Sequence, residues 1–231
     1  MDELLTHRYS RSSHNIEAIN RYPSAIIGVG AIGSQVAEQL AKMGVTDITL
    51  IDPDVVAAHN LVNQGFYEQD VGKPKVSAVA EKLKLINSEI EVTQHFAAWD
   101  IQEHKNLLPN EYYLFSLPDC IAVRAKVFKI AKRCPAIFDA RMSSQVCEAF
   151  TMSRMHSDTI TKYANSLFPK SEALRESCTQ QSTIYCASFA ASCLCSMFSQ
   201  YANFINVGMF MTHWAFNLPT LSTVAADRTF I

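Results

Sequence analysis

The first half of the chain alternates between short apolar runs and stretches with helical spacing. Apolar residues fill 25–27 and dominate 48–51, and between these runs the stretch 34–43 repeats apolar residues every three or four positions. The stretch 75–86 has the same spacing and precedes a third predicted strand at 90–93. Strands that alternate with helices are typical of an α/β fold with a parallel sheet.

The second half of the chain continues this pattern and then changes it. The run at 111–117 has the apolar character and the length of a buried central strand. A helix is expected at 121–133 and a fifth parallel strand at 136–140, whereas the alternation at 145–150 is typical of an antiparallel strand. We therefore expect a Rossmann-like, doubly wound α/β fold whose mainly parallel sheet is continued by antiparallel strands.

Residues 177–226 contain no Lys, Arg, Asp or Glu. A transmembrane helix would explain this absence of charge, but serine, glutamine and asparagine interrupt the apolar run before it reaches membrane length. We expect instead a buried helix followed by strands, and no membrane span. Because the cores of interfaces are depleted in charge, an uncharged surface here would suit a subunit interface, and we expect a homodimer.

The composition favours a cytoplasmic protein with one main domain. The 231 residues are enough for one large domain with a substantial core. A net charge of −2 gives no polyelectrolyte signature, so nucleic acid is not an expected partner. The N-terminal Met-Asp-Glu-Leu-Leu lacks the features of a signal peptide, so we expect a cytoplasmic location and reduced thiols for the seven cysteines.

A glycine motif connects the first predicted strand to the first predicted helix. It reads Gly28-Val29-Gly30-Ala31-Ile32-Gly33. Gly28 allows a tight turn, Gly30 lets a phosphate approach the backbone, and Gly33 lets the helix pack on the strand. Free N–H groups at the start of the helix favour an anion there, so the motif predicts a nucleotide site.

Asp52 ends the second predicted strand, about 20 residues beyond the glycines. An acid at this distance is placed to bind the ribose hydroxyls of a nucleotide. The alternative is a loop acid that caps a backbone N–H. Taken alone, the glycines and this acid would suggest an NAD-dependent enzyme.

The residues that follow the second strand resemble those of a known family. The stretches Asp52-Pro53-Asp54-Val55-Val56, His59-Asn60-Leu61-Val62-Asn63-Gln64 and Val71-Gly72-Lys73-Pro74-Lys75 are similar to the patterns D-x-D-x-V, N-L-x-R-Q and G-x-P-K of the ThiF/MoeB/HesA superfamily of ubiquitin-activating-enzyme-like adenylyltransferases. The resemblance covers at least residues 8–140, and it implies ATP rather than NAD and transfer of AMP to a carboxylate. More loosely, 139–150 resembles a compact bacterial and phage-type branch.

The resemblance also implies a division of the chain and a set of nucleotide contacts. Residues 1–24 would form an N-terminal arm, and 25–231 a single ThiF-like ATP-binding adenylation domain with its crossover-loop region at about 153–183. The implied nucleotide-binding residues are Gly28, Gly30, Ala31, Ile32, Gly33, Asp52, Asp54, Asn60, Gln64, Lys75 and Asp119.

The charge that develops at the attacked phosphorus requires positioned donors and a cation. By resemblance Asn60 and Lys75 supply them, and Lys73 is a nearby competitor for the cationic role. The family arginine falls at Asn63, whose side chain carries no charge. Either another cation takes over, or adenylylation is weak or absent.

Asp119 follows the predicted central strand and matches the last acid of a D-x-x-D-N-like family turn, which contributes to the magnesium and ATP site. The first acid of that turn is missing here, and Cys120 replaces its asparagine. The alternative for Asp119 is a helix N-cap. Arg124, one turn into the following helix, joins Lys73 and Arg11 among the candidates for the missing cation.

Two further residues acquire roles only from the resemblance. Arg11 ends a segment, 7–11, that resembles the family's R-Y-x-R, whose second arginine reaches across the dimer to the phosphates of ATP; the alternative is a solvated arm. Cys178 lies where relatives carry a cysteine that forms a thioester or persulfide link; the alternative is a small buried hydrophobe. Residues 163–169 resemble half of a zinc site without its cysteine pair, so no zinc is expected.

The implied function is Mg-ATP-dependent adenylylation of the C-terminal carboxylate of a small ubiquitin-like or sulfur-carrier protein. The adenylate would then pass to Cys178, to a separate conjugating protein or to sulfide. One alternative is activation of a non-protein carboxylate such as modified tRNA, against which the lack of a basic stretch argues. A second is a nucleotide-binding pseudoenzyme that serves as a dimerisation scaffold, and an NAD enzyme ranks last.

Overall fold

The computed structural model describes residues 9–10, 15–100, 111–129, 134–143, 145–167, 183–204 and 209–228. Within these ranges the strands are β1 (Ser24–Ile27), β2 (Asp47–Ile51), β3 (Glu91–His95), β4 (Tyr113–Ser116), β5 (Ala136–Ser143), β6 (Val146–Ser153), β7 (Met211–Asn217) and β8 (Ser222–Arg228). The helices are α1 (Ile16–Ile19), α2 (Ala31–Met43), α3 (Lys75–Ile86), α4 (Ile121–Phe128), α5 (Ser157–Asn165) and α6 (Ile184–Phe204). Two short 3₁₀ helices, Ala58–Val62 and Glu68–Asp70, lie between β2 and α3.

All the described strands belong to one sheet with the order β3-β2-β1-β4-β5-β6-β7-β8. The neighbouring strands among β1 to β5 are parallel to one another, whereas β6 pairs antiparallel with β5, and β7 and β8 continue the sheet in antiparallel fashion. This confirms the predicted doubly wound α/β fold with its antiparallel extension. The chain runs from β1 outward to β3 and then returns to the other side of β1, so the switch point lies between β1 and β4.

The central strands are apolar throughout because helices cover both faces of the sheet. On one face Ile26 and Phe115 belong to a core that includes buried residues of α2, α3 and α6. On the other face Ala25 and Leu114 belong to a second core, which includes Val127 of α4 and residues of α5. Successive strand residues therefore feed opposite cores, as the two-residue period of a strand requires.

Helix α6 explains the absence of charge in 177–226. Its residues Ala187, Leu194 and Phe198 are fully buried, and the helix packs against α2, β5 and β6. The expectation of a buried helix followed by strands is confirmed, and in the described part of the chain no helix has the length and apolarity needed to cross a bilayer. Burial within the subunit accounts for much of the missing charge, so the homodimer stays a prediction.

Some boundaries differ from the sequence prediction. Helix α4 ends at Phe128, before the predicted end at 133. Strand β5 continues beyond 140 to Ser143, because its antiparallel pairing with β6 extends to the partners Ser143 and Val146. In the predicted arm, α1 buries Ile19 in the core, so part of 1–24 packs with the domain.

Candidate nucleotide site

The glycine motif lies at the switch point, where β1 ends beside the end of β4. Gly28 has a φ of +89°, and its N–H donates to the carbonyl of Ile51 at 2.9 Å. A Cβ at Gly28 would lie 2.6 Å from the carbonyl carbon of Leu117. Both the left-handed backbone and this close approach require glycine.

The other two glycines of the motif have different surroundings. A Cβ at Gly33 would lie 2.0 Å from the carbonyl oxygen of Gly28, so the first turn of α2 packs directly on the glycine turn. A Cβ at Gly30 would meet only Oε1 of Gln64, at 4.0 Å. Gly30 therefore leaves space for a group to approach the backbone, and the first N–H groups of α2 point out of the same turn.

Asp52 holds the ends of β1 and β2 together. Its carboxylate accepts hydrogen bonds from the N–H of Val29 at 2.6 Å and from the N–H of Asp54 at 2.9 Å. Burial raises the pKa of Asp52, although the two backbone N–H groups and Lys75 act in the opposite direction. The predicted alternative, an acid that caps backbone N–H groups, is thus present, and the ribose contact stays a prediction.

The chain between β2 and α3 forms a closed loop beside the glycine motif. Its ends are joined where the N–H of Val56 donates to the carbonyl of Lys73 at 2.8 Å. Within the loop, Oδ1 of buried Asn60 accepts the N–H of Ala57 at 2.9 Å, and the N–H of Gln64 donates to the carbonyl of Asn60 at 2.9 Å. Asn60 therefore shapes the loop that carries Gln64.

The amide oxygen of Gln64 marks the open side of Gly30. This Oε1 atom is buried and has no hydrogen-bond partner among the residues that the structure describes. Buried acceptors are normally satisfied, so an unsatisfied one next to an open glycine is typical of a ligand contact. Asn63, at the position of the family arginine, ends the preceding 3₁₀ helix.

Two lysines lie at the start of α3, and the structure distinguishes them. The side chain of Lys75 is 7% exposed, and its Nζ lies 2.7 Å from Oδ2 of Asp54. Lys73 is half-buried and lies 2.6 Å from Glu81 and 3.6 Å from Asp70, which together raise its pKa. Lys75 is thus held against the loop that begins at Asp52, whereas Lys73 is engaged by two acids.

Asp119 follows β4 and precedes α4 on the carboxyl side of the sheet. It is exposed, and the N-cap residue of α4 is Cys120, which makes no capping hydrogen bond through its side chain. Asp119 thus does not occupy the N-cap position that the alternative interpretation predicted. In the described ranges no cluster of three or more His, Cys, Asp or Glu could hold a metal ion.

Arg124 is not available as the missing cation. Its guanidinium lies 2.6 Å from Oδ2 of Asp139 and donates to the carbonyls of Ser116 and Ala140 at 3.0 and 3.2 Å. Both charged side chains are buried. The arginine therefore ties α4 to the ends of β4 and β5 beneath the turn that carries Asp119.

Asp139 is the centre of a buried network that the sequence analysis missed. Nε of Arg141 lies 3.0 Å from Oδ1 of Asp139, and the hydroxyl of Tyr163 donates to Oδ2 at 2.7 Å. Burial acts to raise the pKa of Asp139, but Arg124 and Arg141 outweigh burial and lower it. The signal in the sequence was the D-x-R spacing at 139–141, which puts both side chains on one face of a strand.

The residues of the site that the structure describes fit Mg-ATP. The turn at Gly30 offers N–H groups and space for phosphates, Gln64 and Lys75 offer further polar contacts, and exposed Asp119 offers a hard oxygen ligand for Mg²⁺. Arg11 and Cys178 lie outside the described residues, so their predicted roles are untested.

Comparison with known proteins supplies independent information. A model of the ThiF family matches residues 8–226. The molybdopterin-synthase adenylyltransferase of Escherichia coli (strain K12) is 31% identical over 135 residues, which cover 56% of this chain and 54% of that protein. The sulfur carrier protein ThiS adenylyltransferase of Bacillus subtilis (strain 168) is 36% identical over 99 residues, which cover 38% of this chain and 30% of that protein. The chain thus spans about half or less of the length of these relatives.

Solved structures share the fold. The crystal structure of PaaA has a TM-score of 0.77 at 16% identity, and the match covers 100% of this chain and 75% of the PaaA chain. The crystal structure of Escherichia coli MccB with ATP has a TM-score of 0.69 at 18% identity, and the match covers 96% of this chain and 72% of the MccB chain. At these identities the likeness shows the fold alone.

Proposed function

The chain belongs to the ThiF family, and we propose that it adenylylates the C-terminal carboxylate of a small ubiquitin-like or sulfur-carrier protein with ATP. The observation that carries this proposal is the open turn at Gly30, which lies at the switch point and faces the unsatisfied amide oxygen of Gln64. The relatives named as adenylyltransferases of molybdopterin synthase and of ThiS support the kind of reaction.

In the proposed reaction a carboxylate oxygen attacks the α-phosphorus of ATP. The new bond is the P–O bond of an acyl-adenylate, and the bond to the β-phosphate oxygen breaks, so pyrophosphate leaves. Negative charge accumulates on the α-phosphate oxygens, and donors fixed in advance stabilise it. We assign this role to Lys75 and Asn60, with the backbone N–H groups of Ala31, Ile32 and Gly33 on the remaining phosphates.

Magnesium belongs to the same proposal. Asp119 is the described acid that would hold Mg²⁺, because it is exposed on the carboxyl side of the sheet where ligands of such sheets bind. When bound, the ion would neutralise phosphate charge and help to orient the triphosphate. Asp52 would bind the ribose with the lone pairs that its two backbone donors leave free, and Asp54 would hold Lys75 in place.

The proposal also includes the step that follows adenylylation and a role for the partner subunit. The acyl group would pass to Cys178, to a conjugating protein or to sulfide, and each acceptor releases AMP. In a homodimer Arg11 of one subunit would reach the phosphates bound to the other. Since Asn63 is uncharged, Arg124 is bound to Asp139 and Lys73 is bound to two acids, the reaction would depend on Lys75 and Arg11.

Asn63 is uncharged, and Arg124 and Lys73 are both paired with acids. These observations favour one other function, a nucleotide-binding dimerisation scaffold without adenylylation activity. Such a protein would bind ATP and release no pyrophosphate. Activation of a non-protein carboxylate gains no support from any described contact.

ATP–pyrophosphate exchange tests the proposal directly. The assay would use the purified chain with and without a candidate carrier protein, in wild-type form and as Asp119→Ala. Asp158→Ala is the matched control, because Asp158 is also an exposed acid at the start of a helix but lies at α5. Carrier-dependent exchange that is lost in Asp119→Ala and retained in Asp158→Ala supports the enzyme. ATP binding without exchange for any carrier would favour the scaffold.

A further inference from the structure

Gly65, which follows Gln64, is held from two sides. Its N–H donates to Oγ of Ser34 at 2.9 Å, and its carbonyl accepts a hydrogen bond from Nζ of Lys82. Ser34 lies in α2, one turn after Gly30, and is fully buried, whereas Lys82 lies in α3. The two helices thus fix both polar groups of one peptide residue in the loop.

Lys82 is itself held in position. Its side chain is 13% exposed, its Nζ lies 3.3 Å from Glu38, and it lies 4.7 Å from the centroid of the Tyr67 ring. Burial acts to raise the pKa of Glu38, but Lys42 and Lys82 outweigh it and lower the pKa, so the carboxylate is a stable partner. An ammonium group with three donors suits this arrangement, because it satisfies the carbonyl of Gly65 and the carboxylate together.

Fixing Gly65 also fixes the residue before it. The N–H of Gln64 donates to the carbonyl of Asn60, so the backbone of Gln64 is tied on one side to the 3₁₀ helix and on the other to Gly65. Its amide oxygen is then directed to the open side of Gly30. Free rotation of this peptide unit would move the side chain away from the glycine turn.

We propose that Lys82 is a positioning residue for nucleotide binding, which acts by clamping Gly65 so that the side-chain amide of Gln64 stays at the open side of Gly30, where rotation of the amide lets its NH2 group donate to the phosphates. This inference rests on the proposed nucleotide site and adds to it a residue far from the glycine motif in sequence. Preorganisation of a polar contact raises affinity because its ordering cost is met before the ligand binds.

The test compares two lysines that share Glu38. Lys82→Met removes the donor to Gly65, whereas Lys42→Met removes a lysine that lies 2.7 Å from Glu38 and is 61% exposed. We would measure the Kd of the non-hydrolysable analogue α,β-methylene-ATP with Mg²⁺ by titration calorimetry. Lys82→Met should weaken binding about tenfold, the worth of one hydrogen bond to a charged group, and Lys42→Met should leave the Kd unchanged.

A double-mutant cycle with Gln64→Ala distinguishes positioning from a general loss of structure. If Lys82 acts through Gln64, Lys82→Met has no further effect on the Kd in the Gln64→Ala background. Lys82→Arg, which keeps a charged donor, should restore part of the affinity. If Lys82→Met does not fold, Ser34→Ala replaces it in the cycle, since it removes the other anchor of Gly65.

The outcomes separate the two proposals. If wild type binds the analogue and Lys82→Met binds it equally well, or loses the same affinity with and without Gln64, the positioning role is overturned and the proposed function stands. If wild type does not bind the analogue, the proposed function fails and the positioning role fails with it.

Discussion

The glycines after β1 have different roles. Gly28 and Gly33 are needed for folding, whereas Gly30 leaves space for a ligand. The motif alone predicted a tight turn at Gly28 and close packing at Gly33, and both predictions are confirmed by the distances at these positions. The motif could be interpreted correctly because its constraints are local. They involve a turn and the first turn of the next helix, which lie within one motif of six residues.

Gly33→Ala should prevent or severely impair folding. The added methyl group would lie 2.0 Å from the carbonyl oxygen and 3.0 Å from the carbonyl carbon of Gly28, and these backbone atoms cannot move aside as a flexible side chain could. We expect a loss of about 3 kcal/mol or more in the free energy of unfolding, measured by urea denaturation. Gly72→Ala is the control, since Gly72 has a φ of +90° but no neighbour within 4 Å, so only backbone strain of about 1–2 kcal/mol applies. Equal losses in both variants would contradict the packing argument.

Gly30→Ala should fold and bind ATP poorly. The new methyl group meets only the amide oxygen of Gln64 at 4.0 Å, and the φ of −86° suits an L-residue. The same methyl group would occupy the space through which a phosphate approaches the backbone, so we expect at least a tenfold higher Kd, equivalent to about 1.4 kcal/mol. Calorimetric titration alongside a melting curve tests this, and unchanged affinity would argue against phosphate binding at the turn.

Other residues of the site could not be placed from sequence. Nothing distinguishes Lys82 from a solvated helix lysine until α2, α3 and the loop are brought together. Arg124 was one of three candidates for the missing cation, but its partner Asp139 lies in the next strand, and the pairing depends on how β4 and β5 align. Such contacts join residues that are distant in sequence, which periodicity does not report.

At the scale of elements, the Asp139 network joins three segments of the second half. Arg124 comes from α4, Arg141 from β5 and Tyr163 from α5, and Asp139 contacts all of them. Because Arg124 also binds the carbonyl of Ser116, the last residue of β4, the network fixes the strand end from which the turn with Asp119 begins. A loss of this network should therefore affect both stability and the site.

Asp139→Asn should destabilise the fold in a pH-dependent manner. Buried Arg124 and partly buried Arg141 lose their charged partner, which costs about 3–5 kcal/mol at pH 7. The pKa of Asp139 is lowered in the folded chain, so its contribution is complete above the ordinary value of 3.8 and is lost as the pH falls below that value. The difference from wild type in the free energy of unfolding should thus shrink toward pH 3. Asp227→Asn, which breaks an exposed pair with Lys162, should cost less than about 1 kcal/mol at either pH. A difference that does not vary with pH would contradict the assignment.

Periodicity predicted the parallel elements well and their ends less well. The strands β1, β2 and β4 and the helices α2 and α3 appear where apolar spacing placed them. The extension of β5 to Ser143 depends on cross-strand pairing with β6, and the polar end of that strand carries no apolar signal. Element ends depend on partners, whereas element types depend on the local pattern.

At the scale of the whole molecule, the proposed function predicts which nucleotide stabilises the fold. A ligand that binds only the folded state at 100 times its Kd adds about 2.7 kcal/mol, which raises the melting temperature of a chain of this size by roughly 5–10 °C. We expect Mg-ATP to produce this shift and NAD to produce none. Differential scanning fluorimetry measures both, and an equal shift with NAD would return the NAD-dependent enzyme to consideration.

The packing of α6 on α2 has a consequence for how the protein is made. Helix α2 ends at Met43 and contacts β1 and α3, but part of its apolar face is covered only by a helix that ends at Phe204. That part has no partner while most of the chain is still being translated. At roughly 5–20 residues per second the ribosome needs on the order of ten seconds to supply α6. During that interval the first half of the nascent chain exposes part of a hydrophobic helix surface, which favours binding of ribosome-associated chaperones.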